Sequence, residues 1–162
     1  MSTFSTNPVL KIAEKDIEVF KLIKLVNGDR YAPFRLEKYK TNDISIYDKI
    51  SVISDESDRE KNKKSIKDKF ESPYIYQSAK DFEYIYSFSE GIHSYLNYAD
   101  AVENKAYLKS IFSSQLFIVK AIIPKGSRYY EGFSKIDNGK KLSSKITFDE
   151  PTIISERLIL LD

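Results

Sequence analysis

Hydrophobic and polar positions change period several times along the chain, and each change predicts an element. The text LFIVKAII, Leu116 to Ile123, is apolar except for Lys120 and rich in β-branched side chains, the pattern of a strand covered on both faces. It is expected to be the central strand of a sheet. Ahead of it Tyr98, Ala101, Val102, Ala106, Leu108 and Phe112 recur near helical spacing, with Asp100, Glu103, Asn104, Lys105 and Lys109 on the other side, which predicts one main helix with that apolar set against the core. Ser94 or Asn97 is expected to cap the helix, and Asp100 falls in its first turn, where the helix dipole favours negative charge. Pro124-Lys125-Gly126 removes a ladder donor and then supplies a residue tolerant of positive φ, so the strand should end there in a tight turn.

Other stretches alternate with a period of two. IEVFKLIKLV, from Ile17, suits a strand with its lysines on the wet side, and Asn27-Gly28 after it is a strong hairpin signal. Arg30 to Leu36 should return, with Pro33 confining it to an edge or a bulge. Ile44 to Ile53 places Ile44, Ile46, Ile50 and Val52 on one face of a third strand, with Ser45, Tyr47, Lys49 and Ser51 on the other. Tyr74/Tyr76 and Phe82/Tyr84/Tyr86/Phe88 recur every second residue, so two aromatic strands are expected, with the row of four either in the core or forming a binding platform. At the end, Thr152 to Ile154, a bend at Ser155-Glu156 and Arg157 to Leu161 read as a short strand followed by a buried terminal one. Residues 1–8 are Ser/Thr/Asn-rich and read as a loose arm, and Asp137-Asn138-Gly139 opens an exposed hairpin or loop. The fold class is therefore α+β, a mostly antiparallel sheet with one main helix packed on it, in a single domain spanning 1–162.

Composition narrows the chemistry. With 26 Lys+Arg against 24 Asp+Glu the formal charge is only +2, weaker than nucleic-acid proteins usually carry. No cysteine is present, which removes disulfides, thiolate nucleophiles and Cys-containing metal sites, and a single histidine argues against a His-rich metal centre. No metal or cofactor is expected. The chain holds neither a leader-type apolar segment nor a run of about twenty apolar residues, so membrane contact is not expected and a cytoplasmic location is the default. Residues 54–69 hold one apolar side chain, Ile66, and read as a charged surface insertion whose second half carries Arg59, Lys61, Lys63, Lys64, Lys67 and Lys69 against Glu60 and Asp68.

Three kinds of chemistry are open. His93, after Gly91 and just before the predicted helix, is placed either to meet an anionic ligand at the helix N-terminus or to serve as a structural histidine bonded to backbone. Lys120 to Lys145 contains seven basic side chains against Glu131 and Asp137, and Lys125 and Arg128 lie beside Tyr129 and Tyr130. That stretch suits phosphate and base recognition, or else a solvated hairpin. The ligand-binding set is accordingly His93, Tyr95, Lys125, Arg128, Tyr129 and Tyr130. No phosphate loop, nucleophile elbow, zinc-protease motif or acidic metal cluster occurs, and no catalytic residue is assigned.

The texts Gly91-Ile92-His93-Ser94-Tyr95, Tyr98-Ala99-Asp100-Ala101 and Ile123-Pro124-Lys125-Gly126-Ser127-Arg128-Tyr129-Tyr130-Glu131-Gly132 resemble a group of small uncharacterised proteins of bacteriophage and mobile elements. The resemblance spans roughly 82–160 and implies an accessory role, against host defence or in the particle. It adds no activity. The expectation for function is a non-enzymatic binding protein of phage or mobile-element origin that engages a host or virion protein, with homo-oligomerisation open. The alternatives are a protein that sequesters a nucleotide-derived ligand, and an ADP-ribosyltransferase-like enzyme. The last requires an arginine or histidine, a serine and a glutamate in one cleft, for which Arg35, Ser143 and Glu150 are the sequence's candidates.

Overall fold

The computed structural model describes residues 3–5, 8–33, 38–47, 74–78, 84–88, 91–109, 116–137 and 147–162. Its strands are β1 (Thr3–Ser5), β2 (Lys11–Ile12), β3 (Ile17–Val26), β4 (Asp29–Tyr31), β5 (Lys38–Tyr39), β6 (Ile44–Ile46), β7 (Tyr74–Ser78), β8 (Tyr84–Phe88), β9 (Ile92–Tyr95), β10 (Leu116–Ile123), β11 (Arg128–Asp137), β12 (Thr147–Ser155) and β13 (Arg157–Leu160). One helix, α1 (Tyr98–Lys109), is described. Every strand pair is antiparallel, in the order β6-β13-β10-β3-β9-β12-β11-β1-β8-β7, with β2, β4 and β5 on side branches. The fold is thus a mostly antiparallel sheet with one described helix against it.

The longest apolar texts make the inner ladder. β10 runs along β3 in unbroken register from Leu116 opposite Lys24 to Ile123 opposite Ile17, and β13 flanks its other side. The expected central strand is therefore an interior strand. The Asn-Gly signal closes β3 onto β4, with Asn27 at φ 52° and Gly28 at φ 83°, the pair of left-handed residues that a tight hairpin of the right twist demands. Pro124-Lys125-Gly126 turns β10 into β11 with Gly126 at φ 86°.

Alternation along these strands divides side chains between two faces. On the far face Val19, Ile23, Ile92, Ala121, Ile123, Ile153, Leu158 and Leu160 form one apolar cluster, completed by Ala32, Tyr39 and Tyr47. Burial of each such aliphatic side chain contributes about 1.5–3 kcal/mol. On the other face Leu22, Tyr95 and Leu116 meet Ala101 and Leu108 of α1.

Several expectations change on contact with the structure. Asn97, not Ser94, precedes the helix. Its side chain reaches the Asp100 carboxylate at 3.1 Å, whereas Ser94 lies within β9 and is fully buried. The inward face of α1 is Ala101, Asn104 and Leu108, so Val102 (42% exposed) and Ala106 point outward and Tyr98 (57%) lies at the flank with its ring edge-on to Phe20, because the helix rests on the sheet by its small and polar stripe. Lys21 is not on the wet side. It is 4% exposed on the far face, where its Nζ donates to the His93 carbonyl at 2.5 Å and stands 5.5 Å from the Tyr39 ring centre. In β6, Ser45 is buried and Ile44 exposed. The arm expected to be loose contributes β1, with Thr3 completely buried. Residues 54–69, the 138–139 turn and Phe112 lie outside the described residues.

The sheet also rolls. Between β1 and β9 stand β11 and β12, a separation of about 14 Å in a flat sheet. Yet Thr3 Oγ1 lies 2.8 Å from His93 Nδ1, so the sheet curls toward the helix-side face. Gly132 permits the approach: a Cβ there would stand 2.5 Å from the Phe4 carbonyl oxygen and 2.6 Å from Thr3 Cγ2.

Candidate functional site

The six residues expected from the sequence to bind a ligand do not meet in one place. His93, Tyr95 and Tyr130 lie on the helix-side face of β9 and β11 and are buried, Tyr130 with its ring 4.6 Å from that of Phe88. Tyr129 packs against the far-face cluster. Lys125 is exposed at the turn, where its backbone N–H donates to Asp16 Oδ1 at 2.8 Å. Arg128 is engaged with Glu156 through Nε at 2.9 Å and a second guanidinium nitrogen at 2.8 Å, and its backbone N–H donates to the same carboxylate. Burial pushes the Glu156 carboxyl up, but those hydrogen bonds and the charges of Arg128 and Arg157 outweigh it and hold the group below its ordinary value. The cation most suited to phosphate is therefore committed to a carboxylate.

A different constellation occupies the helix-side face. Strand pairing sets His93 opposite Ile154 and Tyr95 opposite Thr152, so β9 and β12 present His93, Tyr95 and Thr152 side by side. Thr3 Oγ1 bridges two of them, at 2.8 Å from His93 Nδ1 and 2.9 Å from Thr152 Oγ1. His93 is 8% exposed and belongs to a strand, well inside the sheet and not at the helix N-terminus.

Two residues along β12 from Thr152 stands Glu150. It is 1% exposed, and its Oε2 accepts a hydrogen bond from Asn104 Nδ2 of α1 and another from Ser134 Oγ of β11, each at 2.7 Å. Register explains the partners, since Phe133 faces Pro151 and Lys135 faces Asp149, leaving Ser134 directly across from Glu150. The backbone at Glu150 is left-handed, φ 58°, immediately before a proline. Non-glycine residues rarely adopt that conformation, and such outliers cost about 1–3 kcal/mol and gather at functional positions. A buried carboxyl beside a strained backbone is costly twice over.

Tyr95 is the neighbour that feels this charge. Its hydroxyl is buried with no hydrogen-bond partner. Burial first, then the negative charges of Glu150 and Asp100, push its pKa well above the ordinary value. The phenol is therefore a neutral O–H through the physiological range, available as a donor.

The helix-side face thus gathers a histidine, a serine and a glutamate on β9, β11 and β12. Glu150 was among the sequence's candidates for such a set, while its partners Asn104 and Ser134, and Thr3 and Thr152, were not. The signal for them was slight: Pro151 interrupts an otherwise strand-like text, which marks an irregularity without saying which side chains gather at it. Arg35 and Ser143 lie outside the described residues. Among the described residues no group of three or more His, Cys, Asp or Glu side chains is placed to hold a metal, and no helix is long and apolar enough to cross a membrane. No family model, no curated protein and no solved structure matches the chain.

Proposed function

We propose that the protein recognises a ribose-containing, nucleotide-type ligand on the helix-side face, with Glu150 as the acceptor for ribose hydroxyls. The observation that supports this reading is the Glu150 carboxylate, buried in a left-handed backbone and oriented by Asn104 and Ser134. A carboxylate is acceptor-only and takes two O–H donors at once, which matches a vicinal diol, and Tyr95 and His93 stand beside it with a neutral donor and a ring. The centre of the ligand reading thereby moves from the Lys125/Arg128 turn to Glu150.

The same arrangement has an enzymatic form. Transfer from the anomeric carbon of a ribosyl group passes through an oxocarbenium-like state that a carboxylate stabilises, and His93, Ser134 and Glu150 supply the residue types of an ADP-ribosyltransferase-like set. A panel of nucleosides, nucleotides and dinucleotides in thermal-shift assays tests the reading. A ligand at a hundred times its dissociation constant adds about 2.7 kcal/mol of stability, and Glu150→Gln should abolish that gain. No shift with any member, or a shift that Glu150→Gln leaves intact, rejects it.

A second reading has its own support. The exposed surface of α1 presents Val102 and, on a flank, Tyr107, which is 66% exposed; these suit engagement of another protein, the host or virion partner that the phage-type resemblance implies. Val102→Glu should abolish binding to a purified partner while leaving the fold unchanged, and retained binding removes this reading.

A further inference from the structure

β3 and β9 pair at one position. Phe20 stands opposite Tyr95 and the ladder goes no further, although the residues on either side are all among those described. Continuing the register would set Lys21 across from Ser94, and both side chains belong to the far face, where they are 4% and 0% exposed. The Lys21 side chain enters this opening. Its Nζ donates to the His93 carbonyl oxygen at 2.5 Å and stands 5.5 Å from the centre of the Tyr39 ring. An ammonium on a main-chain carbonyl makes a charge-assisted bond, roughly twice as strong as one from a neutral amide.

The next residue supplies a nucleophile. Ser94 Oγ is buried without a hydrogen-bond partner, a costly state for a hydroxyl that nothing in the fold of β9 requires. It is tethered to the nitrogen of the same peptide bond whose carbonyl Lys21 holds. Rotation of its own side chain can therefore bring the oxygen within about 3–3.5 Å of the His93 carbonyl carbon, with no second molecule to order. Attack there gathers negative charge on the carbonyl oxygen, where the ammonium already lies, and one donor so placed is worth roughly 10²–10³ in rate.

We propose that the chain cuts its own backbone between His93 and Ser94. Ser94 Oγ adds to the His93 carbonyl carbon while Lys21 stabilises the oxyanion. The carbon–nitrogen bond then breaks, the Oγ proton ends on the Ser94 nitrogen, and an ester joins His93 to Ser94 Oγ. Water hydrolyses that ester, leaving His93 with a carboxylate and Ser94 with a free amine and its hydroxyl restored. Water is the one co-reactant. The shift from amide to ester runs uphill by itself, but hydrolysis draws it forward, and the new carboxylate forms beside the Lys21 ammonium. The reaction uses the far face and neither Glu150 nor Thr152, so it stands apart from the ligand reading.

Mass spectrometry of the purified full chain, incubated at neutral pH with and without hydroxylamine, tests this. Two products, residues 1–93 and 94–162, should accumulate. Hydroxylamine opens esters, so it should speed their release at least about ten-fold and leave a hydroxamate on His93. Its other targets, Asn27-Gly28 and Asn138-Gly139, give different masses. Ser94→Ala should abolish both products, and Lys21→Met should slow them about a hundred-fold. Should Lys21→Met fail to fold, the native chain and Ser94→Ala still decide. A native chain that stays whole at this bond in hydroxylamine, products that persist in Ser94→Ala, or a folded Lys21→Met that reacts at the native rate overturns the proposal.

Discussion

The two faces of the β3–β9–β12 segment bury their side chains by different means. On the far face Ile23, Ile92 and Ile153 pack with Leu158 and Leu160, and the one intruding charge, Lys21, is directed at a carbonyl and an aromatic ring. On the helix-side face the same strands carry His93, Tyr95, Thr152 and Glu150 between two smaller apolar patches, Leu22 against α1 and Ile154 with Phe88 and Tyr130. Apolar packing needs no direction, whereas each buried polar group must find a partner or destabilise by about 1–3 kcal/mol. The far face holds the larger apolar cluster, and together with the smaller clusters on the helix-side face it offsets the buried polar groups there. On the proposed reading the same division separates fold from ligand recognition, since directed polar groups are what ligands read.

Substitutions on the two faces should differ accordingly. Leu158→Ala, in the fully buried far-face cluster, should cost about 2–5 kcal/mol in denaturant unfolding, the largest loss of the three. A cost below about 1 kcal/mol would make the division untenable. Asn104→Ala removes a 2.7 Å donor from Glu150 and should cost about 1–3 kcal/mol. Adding Glu150→Gln should make the two changes non-additive, because both act on one carboxylate. Strict additivity in that cycle would show that the bond carries no energy. Smallest is Tyr95→Phe, which deletes a buried hydroxyl without a partner and should lie within about 1 kcal/mol of the native chain. Its signature is in alkali. The folded pKa of Tyr95 lies above the unfolded one, so its stabilising share is complete below the ordinary value of 10.0 and is lost as pH rises toward the folded value. Unfolding midpoints followed above pH 10.0 should fall more steeply for the native chain than for Tyr95→Phe.

The far face could be read in the sequence because its rules are local. LFIVKAII, Asn27-Gly28, the Pro124–Gly126 turn and the Leu158/Leu160 pair each announce an element through its own period or turn chemistry, and each appears. The helix-side face could not, for two reasons. The buried stripe of α1 contains Asn104, and a polar residue is assigned to solvent by any count of apolar positions, so Tyr98 and Val102 took its place in the core. The partner of His93 is Thr3, brought in by a roll of the sheet that no short window contains, and Thr152 stands beside it through the pairing of β9 with β12. Lys21 failed alternation for a related reason. A long aliphatic stem counts as buried surface while its ammonium finds a backbone carbonyl.

One contact sets the order in which the molecule must assemble. Thr3 and Thr152 meet across 149 positions of chain, so their encounter closes a very long loop. Such a closure becomes favourable only once β8 and β11, the strands that pair with β1, stand ready as a template. A chain emerging from the ribosome therefore carries β1 without its β11 partner until Phe133 has been made.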